Sequence, residues 1–326
     1  MLARPIVLMV RAGLYPPGWA KTNWPELAGR AEFAMTPLDS GPELHAEIAR
    51  ADILFIRGPF VVGRDILEAG KKLRGVVMAT VGYDKVDLEA ASEFGIPVAN
   101  SPGNTASLAE AAILLVLALA KRLPFWIDTA RSGVPAAASV LGMQVGGKTI
   151  GIVGFGRIGK ATAALAKALG MEVLAYGPRV QHSDLAEVVP LNELLRRSDF
   201  VSLHAGLNSD THHMIDAKAL ELMKPTAFIV NTARGRLIDE PALVAALESG
   251  RLAGAGLDVF EVEPPPADNP LLAMANVIAT PHRLGHSPET RRQCAVLAEQ
   301  NILSLLRGEL PEFTVNREFT WRFAQK

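Results

Sequence analysis

Short apolar runs alternate with helical patterns along the whole chain. Residues 5–10, 53–56, 75–78 and 96–98 form a first series of candidate strands, and 149–153, 172–176, 200–204, 227–231, 254–259 and 277–280 form a second. Continuously apolar runs of this kind suit parallel strands buried on both faces. Each is followed by a helical segment or by a turn rich in Gly or Pro, the order expected of parallel α/β architecture. Between the two series, residues 105–122 are apolar on nearly every face and end in Lys121 and Arg122, cations that suit the negative end of a helix dipole. A helix apolar all round must be buried, either between domains or between subunits. A second long helical pattern covers 288–307 and stops at Gly308, while 132–147, rich in small residues, reads as a loop or arm. No internal repeat or low-complexity segment stands out.

Composition bounds this picture. With 326 residues, the chain is about twice the size of a common domain, so two domains are expected. A hydrophobic fraction of 49% is ample for two cores, and a net charge of −1 without a basic stripe argues against nucleic acid and membrane surfaces as partners. Cys294 is the sole cysteine, which excludes a disulfide framework within the chain and makes a cysteine-based zinc site untenable. The runs at 5–10 and 111–120 are too short for a signal-peptide core or a membrane span. A soluble, reduced, cytoplasmic protein is expected.

The first chemical signal is Gly154-Phe155-Gly156-Arg157-Ile158-Gly159. Alone, a G-x-G-x-x-G match is weak. Here a β-branched apolar run precedes it and an Ala-rich helical pattern, closed by Gly170, follows it. Gly154 permits the tight turn, Gly156 lets the backbone approach a pyrophosphate, and Gly159 lets helix and strand pack closely. The helix N-terminus then offers free amides to the phosphates. The following strand ends at Gly177-Pro178-Arg179, without the acid that would bond the ribose hydroxyls of NAD. Gly177 removes a carboxylate's repulsion, and Arg179 can pair with a 2′-phosphate, so NADP is preferred, with NAD the alternative.

Three downstream segments put polar groups just past the ends of predicted strands: Asn231 to Gly235, Gly256 to Pro264 and Thr280 to His282. Open α/β sheets bind ligands there. Reduction of a 2-keto acid needs what they contain. A histidine can give a proton to the keto oxygen near neutral pH, a carboxylate on its other nitrogen fixes the tautomer, and a guanidinium can hold the substrate carboxylate while polarising the carbonyl.

Taken in order, these segments resemble the D-isomer-specific 2-hydroxyacid dehydrogenase family over nearly the whole chain. Val81-Gly82-Tyr83-Asp84-Lys85-Val86-Asp87 is similar to that family's substrate-loop segment, and Asn104-Thr105-Ala106-Ser107-Leu108-Ala109-Glu110 to the start of its interdomain helix. The resemblance implies a catalytic trio of Arg234, Glu263 and His282, with Glu263 chosen over Glu261 because the family's acid directly precedes the proline. It implies that Asp258 contacts the nicotinamide, that Arg157, Ile158, Thr105, His204, Thr211 and Thr232 line the cofactor, and that the amides of Val81 and Gly82 hold the substrate carboxylate with Arg234. It also implies two doubly wound parallel-sheet domains. These are a discontinuous, flavodoxin-like substrate domain (1–102 and 288–326) and a Rossmann cofactor domain (103–287), in a homodimer joined through the cofactor domains.

Two positions depart from the family pattern. Leu284 stands where a glycine often follows the histidine by two residues, so either the loop takes another path or the side chain narrows the pocket. Gly206 replaces a common proline after His204. Pro281 and Gly285 argue against a helical metal pair of His282 and His286, and His212-His213 reads as a solvated helix start, so no metal is expected. The leading expectation is an NADPH-dependent reductase of a small 2-keto acid, of the glyoxylate or hydroxypyruvate type. NAD-linked D-2-hydroxyacid or phosphoglycerate dehydrogenation, formate or phosphite oxidation in a modified pocket, and a dinucleotide-sensing corepressor remain the alternatives.

Overall fold

The structure is a computed structural model that describes residues 4–10, 16, 18–58, 60–135, 139–316 and 318–323; part of the 132–147 segment (136–138) therefore lies outside the described residues. The chain divides into two compact units, Met1–Asn104 with Ser287–Lys326, and Thr105–His286.

The first unit carries β1 (Ile6–Val10), α1 (Trp19–Asn23), β2 (Glu32–Thr36), α2 (Pro42–Arg50), β3 (Ile53–Ile56), α3 (Arg64–Ala69), β4 (Gly75–Met78), α4 (Leu88–Glu93) and β5 (Val98–Ala99). Its sheet is parallel throughout, in the order β2-β1-β3-β4-β5. Every residue of β3 and β4 is buried, which is why their sequences are unbroken apolar runs. At the edge, β2 is only partly covered, and its Glu-Phe-Ala-Met-Thr sequence carries no such run. The predicted strand at 96–98 shifts to Val98–Ala99. Ile96 donates its amide back to Ala91 O at 2.8 Å, and Pro97 has no N–H to give a ladder.

In the second unit follow α5 (Thr105–Ala120), α6 (Leu123–Ser132), β6 (Thr149–Val153), α7 (Arg157–Ala168), β7 (Glu172–Tyr176), β8 (Glu187–Val188), α8 (Leu191–Arg197), β9 (Phe200–Leu203), α9 (Ala217–Leu222), β10 (Phe228–Asn231), α10 (Glu240–Glu248), β11 (Gly254–Leu257) and β12 (Val277–Ala279). The seven-stranded parallel sheet runs β12-β11-β10-β9-β6-β7-β8. Strand order reverses at β6, which makes the C-terminal end of β6 a topological switch point where such sheets bind ligands. The chain then returns to the first unit as α11 (Pro288–Arg307), whose Ala298, Ile302 and Leu305 join the core beneath β1, β3 and β4. Both sheets match the doubly wound pair expected from the sequence.

The apolar 105–122 pattern proves to be a helix that ends at Ala120. Arg122 turns left-handed (φ 53°), and the chain restarts as α6 with Pro124 in its first turn. Ala112, Leu115, Val116 and Leu119 of α5 pack into the core of their own unit with β6, β7 and α7, so most of the helix is buried there. Among the described residues, no helix is long and apolar enough to cross a membrane.

Candidate active site

The glycine loop sits at the switch point. Gly154 has φ 94°, and a Cβ added there would overlap the Ala205 amide. One added at Gly159 would overlap the Gly154 carbonyl. Only glycine permits this turn and this close crossing of α7 over β6. A Cβ on Gly156, by contrast, would meet nothing within 4 Å, and Gly156, the N-cap residue of α7, brings no side chain to cap it. Across the sheet, Thr232 Oγ1 is buried just past β10 and has no hydrogen-bond partner among the described residues. An open glycine edge, a helix start with glycine as its N-cap and an orphaned hydroxyl are what a bound dinucleotide would use.

Around this loop lie the other cofactor candidates. Arg157 and Ile158 begin α7, and Thr105 begins α5. His204 follows β9; its amide bonds Val153 O at 2.7 Å, and its Nε2 lies 2.9 Å from Ser202 Oγ. Burial of the ring pushes His204 down to about 4. Thr211 closes the Gly206 turn by donating to Gly206 O at 2.7 Å, so a hydroxyl stabilises the turn where the family often has proline. Past β7, Gly177 faces the glycine loop, with Phe155 N 3.5 Å from where its Cβ would lie. Arg179 is exposed and makes no hydrogen bond or ion pair with the described residues.

The catalytic candidates come together on the same unit. Asn231, buried at the end of β10, shapes the turn that presents Arg234: its Oδ1 accepts from Ala233 N at 3.0 Å and its Nδ2 donates to Arg234 O at 2.9 Å. His282 Nδ1 lies 2.8 Å from Glu263 Oε2. Partial burial acts to raise the Glu263 carboxyl. The hydrogen bond and charge of His282, the Phe260 amide and the Arg234 charge outweigh it and hold the group below the usual carboxylate range.

His282 itself has φ 55°, a left-handed conformation that costs a residue with a Cβ about 1–3 kcal/mol and persists only where neighbours enforce it. Asp258 supplies the enforcement. Its carboxylate, with no exposed surface, accepts from Thr280 Oγ1 (2.7 Å), Arg283 N (2.9 Å) and Leu284 N (3.2 Å), on both sides of His282. The half-buried Leu284 side chain packs against the core that α5 and β6 share, and Gly285 lies close beside Leu108.

A second layer, not found from the sequence, ties the two catalytic loops together. Glu261 Oε1 accepts from Glu240 N and Glu240 Oε2 accepts from Glu261 N, each at 3.0 Å. His213, also left-handed at φ 51°, donates its amide to Arg236 O and sets Nε2 2.8 Å from Glu261 Oε1. Next to Arg234, Gly235 lies so close to Phe260 that an added Cβ would overlap that carbonyl. The Arg234 turn and the Glu263 loop thus share one packed contact. Among the described residues, no group of three His, Cys, Asp or Glu is arranged to hold a metal.

In the first unit, Val81 and Gly82 follow β4 and are partly exposed.

The model of the D-isomer specific 2-hydroxyacid dehydrogenase NAD binding domain matches residues 113–283, the stretch that holds the glycine loop, Arg234, Glu263 and His282. The chain belongs to the D-isomer specific 2-hydroxyacid dehydrogenase family. A glyoxylate reductase of Korarchaeum cryptofilum is 44% identical over 267 residues, covering 79% of this chain and 80% of the relative. A D-3-phosphoglycerate dehydrogenase of Methanocaldococcus jannaschii is 42% identical over 281 residues, 84% of this chain; the match spans only 53% of that relative's length. Among solved structures, an acyclic imino acid reductase in complex with NADPH and D-Arg superposes with a TM-score of 0.87 at 28% identity, over 95% of this chain and 99% of that one. The second unit therefore contains a nicotinamide dinucleotide-binding domain.

Proposed function

We propose that this member of the family reduces a small 2-keto acid, such as glyoxylate or hydroxypyruvate, to the D-2-hydroxy acid, with NADPH preferred over NADH. The observation that carries the reading is the 2.8 Å contact between His282 Nδ1 and Glu263 Oε2, on the unit that also holds the glycine loop. A carboxylate on Nδ1 keeps a proton there, so Nε2 is the nitrogen left to deliver one.

When bound, the reduced nicotinamide supplies a hydride to the carbonyl carbon. His282 delivers the proton from Nε2 to the keto oxygen as negative charge develops there. Glu263, held ionised, stabilises the imidazolium and fixes its orientation. Arg234 pairs with the substrate carboxylate and polarises the keto oxygen, and the amides of Val81 and Gly82 complete the hold on the carboxylate. Asp258 acts on the chemistry by fixing the loop on either side of His282.

Preference for NADPH is supported by Gly177 and by the exposed Arg179, which has no partner among the described residues. A homodimer is supported by the uncovered apolar face of α6, and a reducing, cytoplasmic setting by the buried free thiol of Cys294. The test is a panel of glyoxylate, hydroxypyruvate, pyruvate and phosphohydroxypyruvate, each with NADPH and NADH. Turnover highest with NADPH and a small 2-keto acid is expected. Activity confined to phosphohydroxypyruvate with NADH would replace the reading with phosphoglycerate dehydrogenation, and no turnover of any 2-keto acid would end it.

A further inference from the structure

Past the C-terminal ends of β4 and β5, two neighbouring segments of the first unit meet. Ser101 N donates to Thr80 O at 3.0 Å, and Asn100 Nδ2 donates to Val81 O at 2.7 Å. Two successive carbonyls are thus drawn toward the same segment, whereas in an extended strand they would alternate. Both peptides are trans, and in a trans peptide the N–H points away from the C=O. The amides of Val81 and Gly82 therefore leave side by side on the face opposite Asn100. Neither has a hydrogen-bond partner among the described residues, and both residues are partly exposed. Paired parallel amides of this kind form an anion-binding concavity.

Asn100 is itself fixed. It is 6% exposed, its amide bonds Phe313 O at 3.2 Å, and its carbonyl accepts Nδ2 of the buried Asn301 on α11 at 2.9 Å. Thr80 Oγ1 closes the turn by donating to Gly82 O at 3.2 Å. We propose that Asn100 is a positioning residue for substrate: by gripping the Val81 carbonyl it aims the Gly82 amide, alongside that of Val81, at the carboxylate of the 2-keto acid. This rests on the reading above that Val81 and Gly82 hold that carboxylate. Removing the donor frees the Val81–Gly82 peptide to rotate and halves the pair of aligned amides.

Asn100→Asp keeps the shape but sets a carboxylate oxygen against the Val81 carbonyl. On the full chain, with whichever reduced cofactor saturates it, the variant is expected to raise the KM for 2-keto acid and the Kd for oxamate about ten- to hundredfold, the cost of an unmade buried hydrogen bond. The value of kcat at saturation and the affinity for cofactor should stay within about twofold, since the catalytic trio and the glycine loop are untouched. Thr80→Val, at an exposed position that leaves folding intact, should move the same two constants in the same direction by a smaller factor. Oxamate is read by binding, independently of turnover. Wild-type protein that binds no oxamate would overturn both the carboxylate reading and this one. Wild-type binding that both variants retain, or an Asn100→Asp loss shared equally by cofactor and oxamate, would overturn the role of Asn100 alone.

Discussion

His282 Nδ1 and Glu263 Oε2 stand 2.8 Å apart, on loops anchored by different strands of one sheet. Because Glu263 is held below the usual carboxylate range, the pair contributes stability that is complete above that range and is lost progressively as pH falls from the ordinary carboxylate value to the lowered folded one. Glu263→Gln removes the carboxylate that orients the ring and stabilises the imidazolium, so kcat for reduction should fall, by up to about 10⁴-fold as when the analogous carboxylate of a catalytic triad is replaced. His282→Ala should lower kcat by about 10²–10⁴-fold while cofactor affinity holds. A kcat for Glu263→Gln close to wild type would remove that residue from the proton-transfer step.

Past β7 the question is which dinucleotide fits. Gly177 places no side chain beside Phe155 N, where an added Cβ would stand 3.2 Å from Val180 Cγ2, and Arg179 stands exposed without a partner among the described residues. An unpaired guanidinium can meet a 2′-phosphate in bidentate fashion without first breaking an ion pair. Arg179→Ala should raise the Kd for NADPH about tenfold or more, in line with the 1.5–3 kcal/mol of a charged hydrogen bond, and change that for NADH little. Gly177→Asp should move preference further toward NADH. Fluorescence titration with the two reduced cofactors measures both; equal weakening would make Arg179 a bystander.

Features marked by composition or glycine spacing were legible in the sequence: the turn at Gly154, the continuously apolar β3 and β6, and the polar groups after β10, β11 and β12. Contacts between distant residues left no periodic trace. Asp258 bonding both sides of His282, His213 reaching Glu261 and Asn100 holding Val81 all depend on how strands order in space. Strand β2 was missed because an edge strand covered on one side needs no apolar run. A repeated device escaped for a related reason. Asp52 caps Ile6 N and pairs with Arg74, while Asp199 caps Thr149 N and pairs with Lys224. The two units solve the start of their first strands alike with different cations, so no repeat shows in the letters.

Acid sensitivity should trace to His204. Its folded value of about 4 lies below the ordinary 6.5, so the unfolded chain binds the extra proton first as pH falls. The contribution to stability is complete above pH 6.5 and is lost progressively down to pH 4. Melting temperatures followed across that window should fall more steeply for wild type than for His204→Asn, which keeps a polar group beside Ser202 but cannot take the proton. Parallel slopes would mean that other groups govern the acid transition.

The uncovered face of α6 gives the last test. None of its residues is buried, and Leu123, Phe125 and Ile127 are 45%, 41% and 39% exposed, with Leu114 of α5 at 52%. Large apolar side chains grouped on adjoining helices mark an association surface, and a second copy of this chain is the occupant expected from the family. Burying a side chain the size of Phe or Ile contributes about 1.5–3 kcal/mol, so placing charge at two such positions should weaken association by a factor of about 100 or more. Sedimentation of the wild type should report a dimer, and Phe125→Glu with Ile127→Glu should shift it to monomer without lowering the helical circular-dichroism signal. A wild type that sediments as a monomer would leave this face without its second copy.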